Sequence, residues 1–276
     1  MQQTHPFRQV DVFGSAPLTG NPVAVVHDAD GLDDAQLQQL AQWTNLSETT
    51  FLLRPTTDQA DYRLRIFTPS RELPFAGHPT LGSAHAWLEA GGVPRGESIV
   101  QECGAGLVTI ERGQRLAFQA PPLLRDGPVS DNDLDQITRA LRITRDDVVD
   151  SKWVDNGPGW VGVLLADARA VLALRPDLQS MGDLDIGVAG LWPDGASDAQ
   201  VEVRAFDRST EDPVTGSLNA SLGQWLAGNR LPDAYVAAQG TAIGRAGRVH
   251  VRREGETVWV GGDTRTAVHG EVALRD

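Results

Sequence analysis

The chain has 276 residues, 41% hydrophobic and 22% charged, with a formal net charge of −13. That length suits two domains, and no stretch approaches the roughly 18 consecutive apolar residues that a membrane span needs. An acidic chain repels phosphate backbones, so nucleic acid is disfavoured as a partner and an anionic substrate has to meet locally positive groups.

Further absences narrow the chemistry. Cys103 is the only cysteine and the N-terminus carries no basic-then-apolar leader, so a cytoplasmic protein without an internal disulfide is expected. Lys152 is the only lysine, which leaves one residue for any Schiff base. The histidines His5, His27, His78, His85, His250 and His269 are scattered with no ligand spacing, so no metal site is expected. Neither a Gly-x-Gly-x-x-Gly turn after a strand nor a Gly-x-x-x-x-Gly-Lys loop occurs, and no nucleotide or other cofactor is expected.

In chain order, Arg8 to Phe13 reads as a strand, the turn Gly20-Asn21-Pro22 follows, and Val23 to Val26 forms a second strand. Asp33 and Gln36 make a capping box for a helix from about Asp34 to Trp43, with Leu37, Leu40 and Ala41 on one face. Thr49 to Leu53 and Tyr62 to Phe67 are strands. Leu73 to Pro79 is too rich in Pro and Gly for regular structure, and Thr80 to Ala90 is a buried helix with Pro79 in its first turn. Ile99 to Glu102, Leu107 to Arg112 and Leu116 to Gln119 are short strands, and Pro121-Pro122 marks a linker.

The second half repeats the plan. Asn156-Gly157-Pro158 leads into Trp160 to Ala166, and Glu211 to Ser217 leads into a helix from Leu218 to Ala227, at offsets of about 136 and about 140 residues from their first-half counterparts. A duplicated α+β unit is therefore expected, with domains at 1–121 and 122–262 and the segment 263–276 completing the first.

Three turns adjoining apolar elements carry the candidate chemistry. Glu48 sits between a helix end and an apolar strand, where partial desolvation would suit a proton shuttle, or where it could simply be a solvated carboxylate at a strand edge. His78, between Gly77 and Pro79 at a helix start, could bind a carboxylate or developing enolate with backbone amides behind it, or merely cap the helix. Asp212 precedes Thr215, Gly216 and Ser217 at a second helix start, which offers amides and hydroxyls to an anion or ordinary acidic capping. Arg65, alternating with Arg63 along a strand, could fork onto a substrate carboxylate or lie on a solvated face.

The blocks Gly20 to Val25, Asn45 to Phe51, Arg65 to Pro69, Glu72 to Pro79, Asn156 to Pro158 and Glu211 to Ser217 together resemble the PhzF family in order and spacing. The resemblance implies the diaminopimelate epimerase-like fold: two similar α+β domains, each a curved, mostly antiparallel sheet around a central helix, with the site between them. It also implies a homodimer and an isomerase of the trans-2,3-dihydro-3-hydroxyanthranilate type that needs no cofactor and takes a small carboxylate. By matching position, Glu48 is the base and then the acid, and His78 and Asp212 orient the substrate. Gly77 and Ser217 stand where related epimerases carry two catalytic cysteines, so two-thiol racemisation is chemically closed to this chain. An epimerase or lyase using the same glutamate, or a non-catalytic binding protein of the same fold, are the alternatives.

Overall fold

The structure is a computed structural model that describes residues 3–207 and 209–274. The chain divides into two compact units, 1–119 with 261–276 and 120–260.

The first unit begins with β1 (Gln3–Val12) and β2 (Asn21–Val26), which pair antiparallel. Helix α1 (Asp34–Thr44) starts on the Asp33/Gln36 capping box and stops at Asn45, whose left-handed φ of 51° is one that asparagine tolerates. The reversal at Asn45 turns the chain into β3 (Glu48–Leu53), which lies parallel to β2. β4 (Tyr62–Phe67) and the short β5 (Glu72–Leu73) follow antiparallel, then α2 (Gly77–Glu89) and the strands β6 (Ile99–Cys103), β7 (Gly106–Arg112) and β8 (Leu116–Gln119).

The second unit carries β9 (Arg125–Pro128), α3 (Asp131–Leu141), β10 (Val148–Asp155), β11 (Trp160–Leu165), α4 (Ala168–Ala173), β12 (Asp185–Leu191), β13 (Val201–Phe206) and β14 (Glu211–Asp212). It continues through α5 (Gly216–Leu226), β15 (Ala234–Gln239), β16 (Gly247–Glu254) and β17 (Thr257–Gly262). β18 (Thr264–Leu274) returns to the first unit and pairs antiparallel along the whole of β1. This sheet-dominated α+β architecture is the expected fold class, although four pairings, β2 with β3, β4 with β6, β11 with β12 and β13 with β15, are parallel.

Strand register makes the duplication explicit. Val23 faces Glu48 in the first unit as Trp160 faces Asp185 in the second, 137 residues on. Ile66 faces Leu73 as Ala205 faces Asp212, 139 residues on. The strands β3 and β12, parallel to β2 and β11, thus each open on a carboxylate, Glu48 in one unit and Asp185 in the other.

Each unit is organised around a helix with almost no polar face. In α2 the residues from Gly77 to Ala84 are all buried, and Gly82 lets the helix lie against β2, since a Cβ there would meet Val23 Cγ1 at 2.3 Å. In α5 the run from Gly216 to Gly223 is buried in the same way. Helix α2 begins three residues earlier than the sequence reading had it, because Pro79, which has no N–H to lose, fits within the first turn and leaves Gly77 and His78 free to be helical.

The same strut braces both units. Arg65 on β4 donates from Nε and Nη2 to the two oxygens of Glu72 at 2.7 and 2.6 Å, and Arg204 on β13 does so to Glu211 at 2.9 and 2.7 Å. Arg204 also donates to the carbonyls of Val171 and Leu174 at the end of α4, and its pair is deeper, with side chains 6% and 11% exposed. Removing one partner of such a pair strands a buried charge, whereas replacing both does not. Arg204→Met is expected to lower the unfolding free energy by roughly 3–5 kcal/mol in urea titrations, and the double change with Glu211→Leu to recover most of it.

Candidate active site

Glu48 owes its position to the end of α1 and the start of β3. The Thr44 hydroxyl gives its proton to the Ala41 carbonyl at 3.1 Å, so the 2.6 Å contact with Thr49 is donated by Thr49, which clips the helix end to the strand beside Glu48. One residue on, Thr50 bonds the Ala24 carbonyl and Ser83 of α2, so β3 is tied to the central helix as well. The Glu48 side chain is 14% exposed, and its Oε2 lies 3.2 Å from His78 Nε2. The two atoms are within reach but not aligned for a hydrogen bond, so a small rotation of either side chain makes or breaks it.

His78 is buried in the first turn of α2, and burial holds its pKa down at about 3, so the imidazole is neutral near pH 7. Its Nδ1 faces the Asn21 amide nitrogen at 3.3 Å. An amide nitrogen only donates, so Nδ1 accepts and the ring proton sits on Nε2, the ring nitrogen nearer the Glu48 carboxylate. The pair is therefore a neutral donor beside a carboxylate, not an ion pair. Gly77 and Pro79 flank His78 in the same buried turn, and no side chain caps the start of α2.

The second unit has an analogous helix start with different chemistry. Thr215 precedes α5, donating its hydroxyl proton to Asp212 Oδ2 at 2.5 Å and accepting from Gln239 Nε2 at 2.8 Å. Gln239 in turn takes the Thr215 N–H and the Asn219 amide on its oxygen, which leaves the relay from Gln239 through Thr215 to Asp212 with one direction only. Gly216 opens the helix, and Ser217, at the place His78 has in α2, accepts from the Trp160 indole N–H at 3.0 Å. Its carbonyl takes the Asn156 amide at 2.9 Å. Neither partner can take a proton from the Ser217 hydroxyl, so Ser217 is held as a hydrogen-bonding group and not activated as a base.

Arg65 requires a correction. Besides gripping Glu72 it donates Nη1 to Asp34 at 2.7 Å, so its fork serves two carboxylates of its own chain. The recurrence of the pair as Arg204 and Glu211 marks it as part of the fold, and a substrate role has no support in this geometry.

The residue under-read in the sequence is Asn21. In isolation Gly20-Asn21-Pro22 is a turn signal, yet Asn21 is fully buried with its amide on His78. The signal lay in the repeat, because Asn156 of the second Asn-containing turn also reaches the start of its unit's central helix. Among the described residues no group of three His, Cys, Asp or Glu side chains converges as a metal site would require.

The family model described as PhzC-PhzF, phenazine biosynthesis-like protein, matches residues 10–274. The chain belongs to that family. It is 36% identical, over 91% of either chain, to the trans-2,3-dihydro-3-hydroxyanthranilate isomerase of Pseudomonas aeruginosa. It is equally 36% identical to antisense-enhancing sequence 1 of Schizosaccharomyces pombe, over 97% of this chain and 98% of that one. Among solved structures, the PhzF-family phenazine biosynthesis protein of Enterococcus faecalis superposes with a TM-score of 0.81 at 25% identity, covering 99% of this chain and 100% of that one. This PhzC-PhzF protein is an isomerase.

The buried neutral His78 has a consequence for stability. In the unfolded chain a histidine titrates near 6.5, so below that pH the unfolded state binds a proton that the native state refuses until about pH 3. Stability is thus full above about 6.5 and falls as pH drops toward the folded value, by about 1.4 kcal/mol per pH unit for one such group. His27, held down at about 4 by burial and by Arg8, adds to the same acid limb. Urea unfolding between pH 6 and pH 4 is expected to show a slope shallower by about one proton in His78→Asn than in the parent.

Proposed function

We propose that this family member moves a proton between two carbons of a small cyclic or unsaturated carboxylate, with Glu48 as the sole acid/base and without a cofactor. The observation that carries the reading is the placement of the Glu48 carboxylate 3.2 Å from the Nε2 of a neutral, buried imidazole, within reach of a hydrogen bond after a small rotation.

A carbon-bound proton next to a carbonyl or extended unsaturation becomes acidic as the negative charge spreads into that system. Glu48 takes the proton as a carboxylate and returns it, as a carboxylic acid, to a second carbon on the same face. The Nε2–H of His78 steadies the ionised form and orients its lone pairs. Because His78 stays neutral at working pH, it does not protonate Glu48 prematurely. Developing charge on the substrate is met by the uncapped N–H groups at the start of α2, whose dipole favours an anion. This is a local positive potential of the kind that a chain of net charge −13 requires.

Asp212 is assigned to substrate orientation by its match to the family pattern, and its support here is the Thr215 hydroxyl that fixes one of its oxygens. Moving a proton between two carbons of one molecule leaves no net oxidation or reduction, so the step balances without a redox co-reactant. The substrate class is proposed from the P. aeruginosa relative's name together with the carboxylate-binding character of the helix start.

With trans-2,3-dihydro-3-hydroxyanthranilate and a panel of other small unsaturated carboxylates in deuterated water, proton NMR is expected to reveal deuterium entering one substrate at the carbon that gains the proton. Glu48→Gln should cut kcat by roughly 10²–10⁴ while leaving the thermal midpoint and KM nearly unchanged. A variant that keeps near-parent turnover would remove Glu48 as the base. Asp212→Asn is expected to raise KM more than it lowers kcat, and exhaustive dialysis against a chelator should leave the rate as it was.

A further inference from the structure

The first unit contains a concavity of about 410 Å³ at the end of α2 remote from His78 along the helix. Its walls are His85 and Leu88 of α2, the hairpin from Arg112 to Leu116 joining β7 to β8, and the residues Gly262 to Thr264 at the entry to β18. Nothing in the proposed mechanism uses it.

The charge balance of its lining runs against that of the whole chain. Arg112 is exposed and has no hydrogen-bond or ion-pair partner among the described residues. Arg115 has its Nε 3.0 Å from Asp263 Oδ1 but poorly aligned, and its two Nη groups are uncommitted. Asp263 is the one carboxylate in the lining, set against two guanidiniums, in a protein whose formal net charge is −13. The Gln114 amide, also without a partner, adds two donors. Burial lowers the His85 pKa and so disfavours its charged form, and the hydroxyls of Thr264 and Thr266 at Nδ1 and Nε2 fix the ring as a wall.

Two planar forks around one small space suit a group with more than two acceptor oxygens. A carboxylate brings one negative charge and two oxygens, whereas a phosphate monoester brings close to two charges and three terminal oxygens, the better match for two guanidiniums. The volume falls within the range of small-molecule sites and exceeds what a bare phosphate fills. Only Leu88 and Leu116 are apolar among the larger lining side chains, so the remainder of the ligand is polar, as a sugar is. We propose that this cavity binds the phosphate monoester of a small polar metabolite, held by Arg112, Arg115 and Gln114.

The test uses the full chain, with inorganic phosphate and ribose 5-phosphate as probes and succinate as the carboxylate control, read by isothermal calorimetry and phosphorus NMR. The expected result is one saturable ribose 5-phosphate site per chain, tighter than for inorganic phosphate and at least tenfold tighter than for succinate. Arg112→Ala should weaken it at least tenfold while leaving isomerase turnover and thermal midpoint unchanged, and Glu48→Gln should leave it intact. Absence of binding, affinity equal in Arg112→Ala, or loss of binding in Glu48→Gln would each overturn the assignment. Equal affinity for succinate would overturn the phosphate class.

Discussion

The start of α2 is buried, and a helix start without water has to find partners for its polar groups inside the protein. His78 occupies that turn. Its neutral ring fits there because Asn21 donates to one nitrogen and the other, which keeps the proton, lies 3.2 Å from Glu48. The strand register, the Asn45 reversal and the Thr44–Thr49 clip all deliver Glu48 to the point where that proton emerges. A solvated imidazole in the same place would titrate near neutrality and compete for the proton that Glu48 is proposed to carry.

Duplication supplied the scaffold twice, and the copies carry different polar groups at equivalent places. Both units keep the parallel strand pair, the Arg–Glu strut and the buried central helix. They differ at equivalent positions: Glu48 and His78 in one, Asp185 and Ser217 in the other, with Leu73 of the first at the register position that Asp212 has in the second. The unit with the titratable pair is suited to moving a proton. The unit with a carboxylate fixed by a hydroxyl relay is suited to holding a ligand still. A strut that recurs in both copies, more exposed in the first and more buried in the second, explains why a conspicuous arginine such as Arg65 is a poor guide to substrate.

An acidic chain proposed to act on anions has to arrange positive potential locally, and two physical means are at hand. At the helix starts the potential comes from peptide dipoles, which carry no net charge and cost no ion desolvation. At the far end of α2 it comes from whole guanidiniums on a surface hairpin. The first means suits a site where charge appears transiently during reaction, and the second suits a ligand that arrives fully charged.

Much of this was legible in the amino-acid order. The capping box at Asp33, the alternation from Tyr62 to Phe67, the Pro/Gly-rich turns before each central helix and the two near-equal offsets specify local conformation through short-range sterics and hydrogen bonds, which travel with the residues themselves. Glu48, His78 and Asp212 could be named because each stands in such a turn. The partner of each polar group was decided only by tertiary structure. That Arg65 closes on Glu72 and Asp34, that Asn21 fixes the His78 tautomer, and that Arg112 and Arg115 share a cavity with Asp263 depend on contacts between residues far apart in the chain. The energies of such contacts are set by burial and geometry, which one-dimensional order does not contain.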